Sequence, residues 1–187
     1  MIVDYATIDE TKKYKLMSQS IIPRPIAWIV TEDDSVINIA PFSYFAPLSS
    51  KPPLLVVSIG KKENGNIKDT RANILKNKKA TICFATLDLL EKLKLSSTEI
   101  DKLLSEAKEY NIELVDMQNN YPPIIKGVES AMFCDFRSFI DIQSETLPLI
   151  LEVKEQYIQD DLCDEKLNVT LSNICRVGRT FAKLTNL

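Results

Sequence analysis

The chain has 187 residues, a formal net charge of −3 and no histidine, which is length enough for one domain with a sizeable core. The missing imidazole excludes a Ser-His-Asp triad, a histidine-ligated haem and a histidine-containing zinc site, and the negative balance gives no overall attraction to nucleic acid or anionic lipid. Cys83, Cys134, Cys163 and Cys175 form no CxxC, and the four glycines form neither GxGxxG nor a Walker loop, so the thiols read as reduced and structural and no metal site is expected.

The first twenty residues are too polar for a signal peptide, and no later apolar run is long enough to span a bilayer, so the expected setting is cytoplasmic. Ile26 to Thr31 and Ile37 to Ala40 read as strands, joined by the turn residues Asp33-Asp34-Ser35. Prolines flank Arg24, and Asn38, Pro41 and Ser43 punctuate the second run. Proline cannot donate to a ladder, so both segments are expected to begin or end strands at a site. Leu54 to Ile59 is a third strand. The stretch KKENGNIKDTRANI then opens a short helix ending near Leu75, with Asp69 as its expected N-cap. Lys68 and Arg71 near that N-terminus oppose the helix dipole unless an anion binds there; the alternative is a solvated, lysine-rich loop.

Ala80 to Ala85 is a further strand, followed by an expected helical insertion over about residues 87–117. Its signals are Ile100, Leu103, Leu104 and Ala107 at helical spacing and a capping box from Ser96 to Glu99. After Tyr121-Pro122-Pro123, the segments Ala131 to Ile142 and Leu147 to Ile158 return to strand patterns. Strands at both ends with helices grouped between them predict one mostly β domain over residues 1–187, an antiparallel barrel or sandwich with helical additions.

Five segments, IIPRPIAWIVT, NIAPFSYF, SSKPPLLVVSIG, KDTRANI and RVGRTF, occur in an order that resembles the flavin reductase-like family, which includes flavoredoxin. The resemblance implies an FMN-binding split β-barrel, antiparallel and Greek-key-like, with the helical insertion added. It implies FMN contacts at Arg24, Pro25, Thr31, Asn38, Ala40, Pro41, Ser43, Ser58, Ile59, Lys68, Asp69, Thr70 and Asn73. Lys68 and Thr70 would meet the phosphate, Asp69 would cap the helix, and Asn73 would brace the loop or reach the ribityl chain. Asn38 to Ser43 would run beside the isoalloxazine ring. The competing readings are a surface ion pair for Arg24 and a turn for Asn38 and Ser43.

The resemblance further implies a homodimer, with NADH or NADPH as electron donor and free flavin or a protein redox partner as acceptor. The alternatives are an electron carrier of the flavoredoxin type and a non-catalytic flavin-binding module. Phe181 stands where relatives often carry tyrosine, and no histidine is available near a nicotinamide. The chemistry would belong to the cofactor, so no catalytic side chain is assigned.

Overall fold

The computed structural model describes residues 1–185. Helix α1 (Glu10–Ser20) starts on Asp9, whose carboxylate accepts from the Lys12 N–H, and it buries only Ser18. With no apolar face to bury, it left no periodic signal in the sequence. The short strand β1 (Arg24–Pro25) leads into β2 (Ala27–Asp33) and β3 (Val36–Phe42), a hairpin turned at Asp34 and Ser35, which take φ values of 47° and 66°. Positive φ at both turn residues matches the twist of the flanking strands. A second antiparallel pair follows, β4 (Phe45–Ser50) and β5 (Pro53–Ile59), then helix α2 (Asp69–Asn77) and β6 (Lys79–Cys83).

The insertion holds α3 (Leu90–Leu95), α4 (Glu106–Glu109) and the small pair β7 (Leu114–Val115) and β8 (Ile124–Ile125). The long strands β9 (Ser130–Phe139) and β10 (Leu147–Ile158) complete the main sheet, and β11 (Ile174–Val177) with β12 (Thr180–Lys183) forms a terminal hairpin. The main sheet has seven strands in the order β3-β2-β6-β9-β10-β5-β4, and β1 joins the terminal hairpin as β1-β11-β12. Every pairing is antiparallel.

The fold is therefore mostly β, as expected, but the sheet is not a closed barrel. Its edge strands β3 and β4 are consecutive in the chain, linked through Ser43 and Tyr44, and do not pair with each other. Pro41 in β3 and Pro47 in β4 lack the N–H groups that a closing ladder would use. Two cores lie on opposite faces of β2. Ile29 packs with Phe45, Val57, Ile59, Ile74, Ile82 and Leu149, so side chains from most of the sheet and from α2 converge on one interior. Trp28 and Val30 face the other way, towards Leu93, Ile112 and Ile125 of the insertion. Burial on both faces explains why β2 reads as an unbroken apolar run.

The insertion holds helices, as expected, but they are short and their bounds differ from the expected signals. Ser96 ends α3 rather than opening a helix, and no Ser96–Glu99 capping box forms. Its hydroxyl instead accepts from the Trp28 indole N–H at 2.9 Å and donates to the Leu93 carbonyl. Asp101 accepts from the Leu103 N–H, a local bond that competes with helix, and Leu103 is left 73% exposed. The cysteines are all free. Burial pushes the Cys83 thiol up to about 12, which makes it a packing group at neutral pH. Among the described residues no helix is long and apolar enough to cross a membrane.

Candidate functional site

Four of the residues singled out in the sequence meet in one buried polar network. The Asn38 amide on β3 donates to Thr70 Oγ1 at 2.8 Å and to Thr31 Oγ1 at 3.3 Å, and the Asn73 amide on α2 donates to Thr31 Oγ1 at 3.1 Å. All four are buried. The network fixes the first turn of α2 against β2 and β3, and Asn38, Ala40 and Thr70 line a small depression there. Buried side-chain amides and hydroxyls are costly unless paired, so the arrangement specifies one placement of the helix.

Helix α2 begins without a side-chain cap. Lys68 is the cap residue, and Asp69, expected to cap, lies inside the first turn with its carboxylate 2.6 Å from Lys62 Nζ. One residue inside the helix, an aspartate complements the dipole but no longer fills the cap. Lys68 lies 3.5 Å from Glu99 of the insertion. Arg71 turns aside and donates to the Glu145 carbonyl at 3.1 Å. The helix start therefore presents backbone N–H groups beside two lysines, under the segment from Ser96 to Glu99. Along the same groove, a cavity of about 210 Å³ is lined by Pro41, Phe42 and Ser43 together with Tyr14, Arg176 and Phe181.

The other candidates lie elsewhere or play another part. Arg24 is only 5% exposed, which removes the surface ion pair. Its guanidinium donates to the carbonyls of Ser18, Ile21 and Gly178, and its Nε lies 3.4 Å from Ser43 Oγ. Pro25 is exposed beside it. Ser58 is half-buried on β5 and donates its N–H to the Tyr44 carbonyl, while Ile59 is fully buried in the core, and neither lines the groove.

Glu106 was not singled out in the sequence, yet it is 6% exposed and lines the depression beside Asn38. Its Oε2 accepts the Ile39 N–H at 2.9 Å, satisfying a donor that edge strand β3 would otherwise leave unpaired. The only signal was a carboxylate beside Leu103, Leu104 and Ala107, which also fits an exposed helix face. Burial raises its carboxyl above the ordinary 4.5, partly offset by the Ile39 N–H. The folded chain thus holds this proton to higher pH than the unfolded chain, and the contribution to stability is lost as pH rises from 4.5 through the raised value. Glu106→Gln is expected to keep the bond and flatten the stability slope in that window, whereas Glu106→Ala orphans the N–H at a cost of about 1–3 kcal/mol. Urea unfolding across the acid range checks both; an unchanged slope in the glutamine variant would show that Glu106 titrates normally.

Residues 17–177 match the profile of the family described as flavin reductase like domain. The fold is similar to that of nitrilotriacetate monooxygenase component B from Bacillus cereus, with a TM-score of 0.91 at 24% identity, covering 100% of this chain and 96% of that one. It is similar to 2-nitrobenzoate 2-nitroreductase from Pseudomonas fluorescens, with a TM-score of 0.90 at 23% identity and coverage of 100% and 93%. An FMN-binding protein from Thermus thermophilus gives 0.78 at 17% identity, over 98% of this chain and 96% of that one.

Proposed function

The chain belongs to the flavin reductase-like family, and from that premise we propose that it is an FMN-binding oxidoreductase. The carrying observation is the uncapped start of α2 between Lys62 and Lys68, continuous with the groove along Asn38 to Ser43. Free N–H groups at a helix N-terminus with lysines beside them suit a phosphate. The open depression over Lys61, Lys62, Lys68 and Glu99, about 520 Å³, has room for one. Lys68, Thr70 and the first N–H groups of α2 would hold the phosphate, with Asn73 bracing the helix. Asn38, Ala40, Pro41 and Ser43 would border the ring. FMN, when bound, supplies the redox chemistry. The protein's part is to hold it and leave one face open to a second molecule. The FMN-binding protein from Thermus thermophilus, which shares the fold, supports this reading.

Because Glu99 already faces Lys68, the phosphate must compete with a carboxylate. Lys68→Ala is expected to weaken FMN by roughly 1.5–3 kcal/mol, the range for charge-assisted hydrogen bonds, while Glu99→Gln tightens it, and riboflavin, lacking the phosphate, follows neither. Flavin fluorescence titrations read both ligands. Equal losses for FMN and riboflavin in the lysine variant would overturn the phosphate assignment.

NADH or NADPH as the donor belongs to the same proposal, and their steady-state oxidation by FMN-loaded protein tests it. Fast reduction by a protein donor with negligible nicotinamide turnover would instead make this an electron carrier of the flavoredoxin type. A homodimer is also proposed, for which the exposed Leu103 and Leu104 offer an apolar face.

A further inference from the structure

The cavity beside Pro41 to Ser43 shares one wall with the groove proposed for the ring, and its other wall, with Tyr14, Arg176 and Phe181, has a chemistry that the flavin reading does not use. Arg176 on β11 stands opposite Arg24 of β1 in the ladder, a pairing of like charges that costs stability on a sheet. The two guanidiniums differ in their partners. Arg24 is turned to main-chain carbonyls. Arg176 lies over the Phe181 ring, 4.5 Å from its centroid, and among the described residues it has neither a hydrogen-bond acceptor nor a carboxylate partner. It is half-buried, and loss of solvent lowers its pKa from the ordinary value. Lys94 is a second cation in the lining but already pairs with Glu91 at 2.7 Å.

The lining contains no aspartate or glutamate, and Tyr14, Phe42 and Phe181 supply aromatic walls. A half-buried guanidinium over an aromatic ring, with no acid in the cavity wall, leaves its donors to solvent and free for a bound carboxylate, and the planar fork of arginine suits a carboxylate bidentately. The volume, about 210 Å³, is below the roughly 300–1,000 Å³ typical of drug-sized ligands, so it suits a molecule of about one ring.

We propose that this cavity binds a small planar molecule bearing a carboxylate, with Arg176 as the residue that selects the negative charge. The inference rests on the flavin reading in one respect: the bound anion is the second substrate, placed beside the groove proposed for the ring. Binding itself can be measured apart from that reading.

The test uses the full chain with and without FMN, and calorimetric titration with benzoate and its uncharged counterpart benzamide. Benzoate is expected to bind at least about tenfold more tightly than benzamide, as a charge-assisted pair requires. Arg176→Met should abolish the preference, and Arg176→Lys should restore part of it. Equal binding of the two probes to the unsubstituted protein would overturn the proposal without reliance on any variant. Loss of FMN by the same factor as benzoate in Arg176→Met would also overturn it, by assigning the cation to the flavin. Displacement of benzoate by equimolar inorganic phosphate would reassign the cavity to a phosphoryl group. If FMN fails to bind while the benzoate preference persists, the flavin reading falls and this site stands; if FMN binds and neither probe does, only this site falls.

Discussion

Replacing Arg24 with leucine is expected to lower stability by about 2–4 kcal/mol, because it leaves the buried Ser18 carbonyl and the partly buried Ile21 and Gly178 carbonyls without this donor. The three carbonyls belong to two separate places: Ser18 and Ile21 at the end of α1, and Gly178 in the turn of the terminal hairpin. One guanidinium with five donors thus joins the first helix, the start of the sheet and the chain's last hairpin. The flanking prolines fix φ on either side of Arg24. At a size near 190 residues, each kcal/mol corresponds to roughly 2–4 °C of melting temperature, so a fall of about 5–15 °C is expected in a thermal melt. Arg24→Lys should recover only part, since a point-like ammonium cannot span carbonyls that a fork reaches. A change below about 0.5 kcal/mol for leucine would mean that these contacts are not what holds the hairpin.

The strands of the main sheet were legible where burial imposed a pattern. Leu147 to Ile158 was read with both of its ends, and β2, β3, β5 and β6 to within a few residues. Helix α1 and strand β4 were not foreseen. The helix buries only Ser18, and four of the six residues of β4 are exposed, so neither carries a period set by a core. Within the insertion, the helix was expected to include Ile100, Leu103 and Leu104 because they stand with Ala107 at helical spacing, but only Ala107 lies in one. Its conformation is set by distant and local polar bonds: Trp28 to Ser96, Ile39 to Glu106, and Asp101 to Leu103. A partner 67 or 68 positions away in the chain leaves no mark in a local window.

The candidate site divides on the same physical line. Lys68, Asp69 and Thr70 could be placed at a helix start from local rules, although the cap fell on Lys68 rather than Asp69. Thr31, Asn38 and Asn73 could be grouped only through the family resemblance, because spacing alone does not bring β2, β3 and α2 together. Arg24 illustrates the limit. Its prolines marked a special backbone position, but that the guanidinium faces carbonyls of residues 18, 21 and 178 depends on the packing of three elements. Glu106 and Arg176 owe their interest to what they lack, solvent in one case and an acceptor in the other, and neither property can be read from a residue type.

The largest expected loss of FMN affinity with the lysines proposed for the phosphate intact is in Asn38→Leu. The amide of Asn38 is the donor recorded to Thr70 Oγ1, whereas Thr31 Oγ1 also receives the Asn73 amide. Leucine has a similar volume but no donor, so the Thr70 hydroxyl, 1% exposed, loses its partner while Thr31 keeps one. An orphaned buried hydroxyl costs about 1–3 kcal/mol of stability. Asn73→Ala, which spares the Asn38–Thr70 bond, should cost less, and the double variant should depart from additivity because both amides share Thr31. The functional effect follows from position. Asn38 and Thr70 join β3 to the start of α2, the two sides of the proposed groove. If their bond sets the separation of the phosphate end from the ring end, its loss should weaken FMN by at least about tenfold, and riboflavin less, since the ring end is still built by Pro41 to Ser43. Fluorescence titration of both flavins, beside urea unfolding of the same variants, separates binding from stability. A variant that loses stability yet binds FMN as before would make the network a scaffold only, and the flavin would then have to lie away from the Asn38–Thr70 edge.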